Sequence, residues 1–212
     1  MKKDIYIKII DILKEYYPES KCTLDFKTPF ELLVSVMLSA QCTDERVNKT
    51  TPNIFSKYNT PIDFVDLDLN IIEQLIKSCG FYKTKAKHIK EASIILVNNF
   101  DSIVPNNMDD LLTLPGIGRK SANVILLECY NICNGVAVDT HAKRLCNRIG
   151  FSTNSDPIKI EQDLINSFPK EYLKDINHLL VIHGRAICTA RNPKCNICPI
   201  NKYCEFFLNK SE

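Results

Sequence analysis

Apolar residues recur at helical spacing along almost the whole chain. Ile5, Ile9, Ile12, Leu13 and Tyr16 share one face before Pro18, and Phe30, Leu33, Val34 and Met37 repeat the pattern after Pro29. Thr28-Pro29-Phe30-Glu31 reads as a capping box with proline at the first helical position. A helix is therefore expected to start there, to carry Val34 to Leu38 into a core, and to present Ser39-Ala40-Gln41 at its end. Asn70 is placed to cap a helix over 71–78 that Gly80 closes, and the next helix runs over 82–98 with Phe81 at the joint. Further helices are expected at 109–113, 119–130, 141–148, 157–168 and 171–183. The Gly-Val-Ala-Val run at 135–138 is too short to imply a sheet and reads as a buried connector. The fold class is all-α.

Length and composition change this picture little. A chain of 212 residues, 45% hydrophobic and 25% charged, suffices for one sizeable core or for two lobes. The start, Met1-Lys-Lys-Asp, leads into no uninterrupted apolar run, and no later segment approaches a membrane span. A soluble, unprocessed, cytoplasmic protein with no membrane partner is expected. The ten cysteines would suit a disulfide framework only in an oxidising compartment, which nothing else in the sequence indicates. Reduced thiols and a metal centre fit better. The net charge of +2 is too small to mark a nucleic-acid binder, so any affinity for phosphate must come from local clusters.

One such cluster is Leu114-Pro115-Gly116-Ile117-Gly118-Arg119-Lys120, between a short helix and a longer one. Gly116 and Gly118 permit a tight turn and close approach of another backbone, a helix-hairpin-helix signature. Such a turn points backbone N–H groups and the positive end of a helix at a phosphate, and its carbonyls can share a monovalent cation with that phosphate. The plainer reading is a helix-helix turn, against which Arg119 and Lys120 argue. Lys120 falls in the first helical turn beside Arg119, where dipole and neighbour both favour loss of its proton. A neutral lysine is a nucleophile toward the anomeric carbon of a deoxyribose, although a lone lysine is more often a solvated charge. Asp139 is its candidate partner. It leaves the apolar run just before Thr140-His141, where it can serve as an N-cap or can stabilise positive charge and move protons.

Near the C-terminus Cys188, Cys195, Cys198 and Cys204 follow the spacing C-x6-C-x2-C-x5-C. Four-cysteine zinc is one reading, but zinc usually pairs two short knuckles and only Cys195 and Cys198 are so close; a cubane iron-sulfur cluster also takes four cysteines. Arg191 and Lys194, in the loop after the first of these cysteines, would be held out toward a phosphate backbone. Cys22, Cys42, Cys79, Cys129, Cys133 and Cys146 read as small hydrophobic fillers without chemistry.

With these motifs in order, the chain resembles the endonuclease III family of DNA glycosylases from about the first helix to the last cysteine. Leu-Ser-Ala-Gln at 38–41, the hairpin at 114–120, Val-Asp-Thr-His at 138–141, His-Gly-Arg at 183–185 and the cysteine spacing carry the likeness. The resemblance implies a two-lobed helix-hairpin-helix glycosylase fold with a C-terminal 4Fe-4S loop. It implies a central domain at 22–133, a terminal domain from 1–21 plus 134–212, and a cleft for damaged double-stranded DNA. It implies that Lys120 is the nucleophile, Asp139 the catalytic aspartate, and the four cysteines the cluster ligands. Gln41 would fill the vacated base position and Phe81 would be the apolar wedge. Phe81 is bulkier than the leucine common there, and Cys42 stands where a small apolar residue is usual. Related adenine glycosylases lack the lysine and carry a glutamate on the helix that here reads Leu33-Val34-Ser35-Val36. The expected activity is a monomeric, bifunctional base excision repair enzyme that removes oxidised or saturated pyrimidines and cuts 3′ to the abasic site, associated with the bacterial nucleoid when on DNA. Two rivals are a DNA-binding module with a redox-sensing cluster, and a monofunctional glycosylase in which Asp139 activates water.

Overall fold

The structure, a computed structural model, describes residues 2–209. The helices run α1 (Lys2–Tyr16), α2 (Pro29–Ser39), α3 (Asp44–Phe55), α4 (Pro61–Asp66), α5 (Leu69–Leu75), α6 (Tyr82–Asn99), α7 (Met108–Leu112), α8 (Arg119–Tyr130), α9 (Thr140–Ile149), α10 (Pro157–Ser167), α11 (Lys170–Ala186) and α12 (Glu205–Leu208). There is no strand among the described residues. Two compact units emerge, one spanning Cys22–Ile132 and the other joining the residues up to Lys21 with those from Cys133 onward.

The central unit is organised around α2, which is mostly apolar and buried from Phe30 to Leu38. Thr28 caps it by accepting from the Glu31 amide at 3.2 Å, as the capping motif predicts. The reciprocal half differs, because the Glu31 carboxylate accepts from the Lys27 amide at 2.6 Å instead of from Thr28. Phe64 of α4 meets Phe30 edge to face at 5.5 Å, and Ile72, Ile89, Leu96, Leu111 and Ile125 complete the core from α5 to α8.

Three local readings are corrected. Asp68, not Asn70, caps α5; its carboxylate accepts from the Asn70 amide at 3.0 Å, so Asn70 is the residue being capped. That helix stops at Leu75 and a separate 3-10 turn covers Lys77–Cys79, so no single helix spans 71–78. Helices α3 and α4 appear where none was expected. In α3 only Val47, Thr51 and Ile54 are buried and Pro52 lies inside, which blurs the apolar period. α4 is a short element held by the true reciprocal capping box of this chain, Thr60 with Asp63.

In the terminal unit α1, α9, α10 and α11 bury Ile9, Ile10, Leu13, Leu145, Cys146, Ile160, Leu164, Leu179 and Leu180. Tyr6, Phe151 and Phe168 close one end, with ring centroids 4.9 and 5.1 Å apart for Tyr6–Phe151 and Phe151–Phe168. Val136, Ala137 and Val138 are buried as the connector reading expects, and the Asn177 amide donates to the Ala137 carbonyl. Gly184 of α11 lets α9 approach closely: a Cβ there would lie 2.9 Å from Arg144 Nη2 and 3.1 Å from His141 Nδ1.

Candidate functional site

In the central unit the hairpin is built by backbone. Leu114 and Ile117 anchor the turn in the core, and the Ile117 amide donates to the Leu114 carbonyl at 3.1 Å. Gly116 adopts φ +83, and a Cβ there would meet His88 Nδ1 and Met37 Cε at 3.0 Å each, so both its conformation and its packing call for glycine. Gly118 is different. Its φ is −104, and a Cβ would meet nothing within 4 Å. Folding alone does not require glycine here, and the space beside the turn is open.

Gly118 is the N-cap of α8 and offers no side chain to its first amides. By contrast Thr28, Thr43, Thr60, Asp68, Asn107, Asp139 and Asp156 cap their helices with side-chain oxygens. The start of α8 thus keeps N–H groups and the positive dipole end for an outside acceptor. Arg119 and Lys120 follow on the first turn, both exposed.

Two further side chains of this unit stand out. Gln41 and Phe81 both have left-handed backbones, at φ 53 and φ 46, which non-glycine residues seldom adopt. Phe81 is 66% exposed, so the ring is not core. Both line one concavity of about 700 Å³, open to solvent, together with Met37, Thr84, Lys85 and His88.

In the terminal unit Asp139 is the N-cap of α9, and its Oδ1 accepts from the Ala142 amide at 2.7 Å. The capping role is realised with one carboxylate oxygen. The pair of oxygens leaves a second for other work.

The C-terminal loop gathers its thiols. Cys188, Cys195, Cys198 and Cys204 wall one pocket of about 350 Å³, including its mouth, with His183, Ile149, Ile187 and Ile200. All four are free thiols. The four thiols thus face one shared space, as the ligands of a four-cysteine metal centre must. Burial first, and then the neighbouring Cys204, Cys188 and Cys195, push the Cys198 thiol up to about 11. Four thiolates at this spot call for a cationic centre.

Several supports of this loop were not singled out by sequence reasoning. Arg148 donates to Cys188 Sγ at 3.4 Å and to the Thr189 and Ala190 carbonyls at 2.7 Å each. Arg144 holds the Gly184 and Cys188 carbonyls at 3.0 Å. His183 is 1% exposed, and burial pulls its imidazole down to about 4, so the ring is neutral. Tyr17 Oη lies 3.0 Å from Nδ1 and Cys198 Sγ lies 3.4 Å from Nε2. A tautomer that accepts from Tyr17 and donates to the sulfur satisfies both contacts. The only sequence signal was His183 within His-Gly-Arg. Arg191 and Lys194 are exposed on the same loop.

Residues 34–170 match the family described as HhH-GPD superfamily base excision DNA repair protein, and residues 188–204 match the iron-sulfur binding domain of endonuclease III. The second match begins and ends on cysteines of the pocket. The chain is 46% identical to endonuclease III of Synechocystis over 96% of its length and 93% of the relative's. It is 41% identical to endonuclease III of Rickettsia prowazekii over 99% of its length and 98% of the relative's. Its fold is similar to that of an endonuclease III trapped as a covalent intermediate with DNA, at TM-score 0.94 and 36% identity with full coverage of both chains (100%). The chain belongs to the endonuclease III family, within the HhH-GPD superfamily of base excision DNA repair proteins.

Proposed function

We propose that this protein is a DNA glycosylase and abasic-site lyase of base excision repair, which releases damaged pyrimidines and then cuts the strand on the 3′ side. The observation that carries the reading is the full-length likeness to endonuclease III, including its covalent DNA intermediate, together with a lysine on the first turn of an uncapped helix. DNA is gripped at that helix start, where the turn's amides and Arg119 meet a phosphate and the turn's carbonyls can share a monovalent cation. Arg191 and Lys194 add phosphate contacts. The damaged nucleotide leaves the stack, with Gln41 entering the vacancy and Phe81 wedging the neighbouring bases apart.

Lys120, as the free amine, attacks C1′ with its Nζ lone pair; the C1′–N bond breaks and the base departs with its electron pair, to be protonated. Ring opening leaves an imine between Nζ and C1′. The imine acidifies C2′, and loss of that proton expels the 3′ phosphate by β-elimination. Asp139 stabilises the positive charge on the sugar and carries protons to and from the amine. Cys188, Cys195, Cys198 and Cys204 are the ligands of the 4Fe-4S cluster, whose contribution when bound is a rigid centre for the loop that carries Arg191 and Lys194. Among the described residues no helix is long and apolar enough to cross a membrane. We place the enzyme in the cytoplasm, acting as a monomer on the nucleoid.

Borohydride reduction of the imine tests this directly. Wild-type protein should be trapped on abasic DNA, and Lys120→Ala should bind the same DNA without trapping. Undiminished trapping in the variant would assign the nucleophile elsewhere, and intact abasic products from the wild type would favour the monofunctional rival.

A further inference from the structure

Lys85 of α6 is 6% exposed, and a lysine is seldom buried without partners. Its partners are two carbonyls. The ammonium donates to the Leu38 carbonyl at 2.8 Å and to the Cys79 carbonyl at 2.7 Å, both short, as charge-assisted bonds are. Leu38 lies in the last turn of α2, where a carbonyl has no amide of its own helix to accept from, and Cys79 ends the 3-10 turn that follows α5. One cation thus closes the carbonyl ends of two elements that are distant in sequence. Gln41 comes three residues after Leu38, and Phe81 two residues after Cys79. Both hold left-handed backbones, at φ 53 and φ 46, and such conformations persist only where the surroundings fix them. Both side chains line the same concavity as Lys85. The Lys85 amide also donates to the Phe81 carbonyl at 3.1 Å, so Lys85 grips that segment through backbone and side chain together. The Gln41 segment has a turn of its own, in which the Cys42 amide donates to the Ser39 carbonyl at 3.0 Å. That bond shapes the turn, and the Lys85 ammonium fixes where the turn stands relative to Phe81.

We propose that Lys85 is a positioning residue for extrusion of the damaged nucleotide: its ammonium ties the loop of Gln41 to the loop of Phe81, so that both side chains meet the DNA stack already in place. The role rests on reading Gln41 and Phe81 as the side chains that enter DNA. Lys85 acts through them and takes no part in the bond changes at C1′. Side chains that fill the gap recover part of the cost of taking a nucleotide out of the stack, and held in advance they recover it without ordering losses of their own. A neutral side chain of similar length would leave both buried carbonyls without a donor, and the loops would separate to reach other partners or water. The tie therefore matters most where a paired base must be unstacked, and least where the nucleotide is already unpaired.

The experiment compares holoenzyme variants on one lesion placed in fully paired duplex and in a short unpaired bubble. Lys85→Met, which keeps the reach of the side chain and loses its donors, should lower kcat/KM on the paired duplex by about tenfold or more and on the bubble by about threefold or less. The defect should also be shared with the inserting side chains. Phe81→Ala should cost much less in the Lys85→Met background than in wild type, since a misplaced ring has little left to lose. Equal losses on both substrates, or additive losses of Lys85→Met and Phe81→Ala, would make Lys85 a fold-stabilising residue alone and overturn the proposal. If Lys85→Met is not recovered folded, Lys85→Gln, which keeps an amide donor on a shorter arm, takes its place with the same expected split and the same overturning outcomes. Phe81→Ala and Gln41→Ala serve as references. A paired-to-bubble ratio that neither of them changes would refute the insertion reading and the role of Lys85 with it, whereas a ratio that changes in them but not in the Lys85 variant refutes the positioning role alone.

Discussion

The hairpin at the start of α8 and the cysteine loop at 188–204 both carry exposed basic side chains, yet they are held in place by different physics. The hairpin hangs from a core: Leu111, Leu114, Ile117, Ala122 and Ile125 are all buried around it. The loop has almost no apolar filling. Between Cys188 and Cys204 only Ile200 and Cys204 itself are buried, Ile197 is exposed, and the backbone forms two 3-10 turns at Cys195–Ile197 and Asn201–Tyr203. Arg144 and Arg148 pin its first residues to α9, and the remainder has only scattered bonds, such as the Lys194 amide to the Ile187 carbonyl at 3.0 Å and the Asn201 side-chain amide to the Cys195 carbonyl at 3.1 Å, around its four thiols. The hairpin is therefore a product of folding, whereas the loop leans on the metal centre that its thiols surround.

The largest effect should come from separating the loop from its cluster. Cys198→Ala protein purified anaerobically should lack stoichiometric iron and sulfide and should be cut by protease within 188–204, while the helical circular dichroism stays near wild type. Coupled metal-binding and folding energies are on the order of 10 kcal/mol for small structural sites, which exceeds anything the buried Ile200 can supply. A protease-resistant, iron-free loop would erase the contrast.

The hairpin can be broken in two distinguishable ways. Gly116→Ala forces a left-handed alanine against His88 and Met37 at 3.0 Å, and should cost about 1–3 kcal/mol of stability by thermal or denaturant unfolding. Gly118→Ala meets nothing within 4 Å, so its unfolding should lie within about 0.5 kcal/mol of wild type. Under the proposed grip on DNA its affinity should nevertheless fall, because the added methyl would stand where the phosphate is proposed to approach. Equal stability losses in the two variants would mean that the second glycine also serves the fold.

How much of this was legible in the sequence follows the same division. α8 was read to the residue because its apolar face, its glycine start and its length agree, and buried α2 was read from Thr28-Pro29 and its continuous apolar run. α3 escaped because its buried residues are few and a proline sits inside it. The cap of α5 was misplaced because Asp68 and Asn70 are both good caps and only the backbone decides between them. In the loop, the spacing of the cysteines announced a metal centre. Tyr17, Arg144 and Arg148 were invisible, since each reaches its partner across tertiary contacts that no local pattern records.

The smallest effect should be at the tips of the loop. Arg191 and Lys194 are exposed, so Arg191→Ala and Lys194→Ala should leave unfolding within about 0.5 kcal/mol of wild type and leave the iron content unchanged. If each meets one phosphate, each releases about one counterion on binding, and the slope of log affinity against log salt should become shallower by about 1 per substitution. The loss should be uniform across damaged and undamaged duplex, because a phosphate contact carries no base information. Cys198→Ala, if it disorders the loop as argued above, should shallow the slope by about 2, the sum of both side chains. This is the sharpest form of the comparison. An unchanged slope in the double variant would take the loop off the DNA, whereas a hairpin variant such as Gly118→Ala should change affinity without the additive, charge-counting signature.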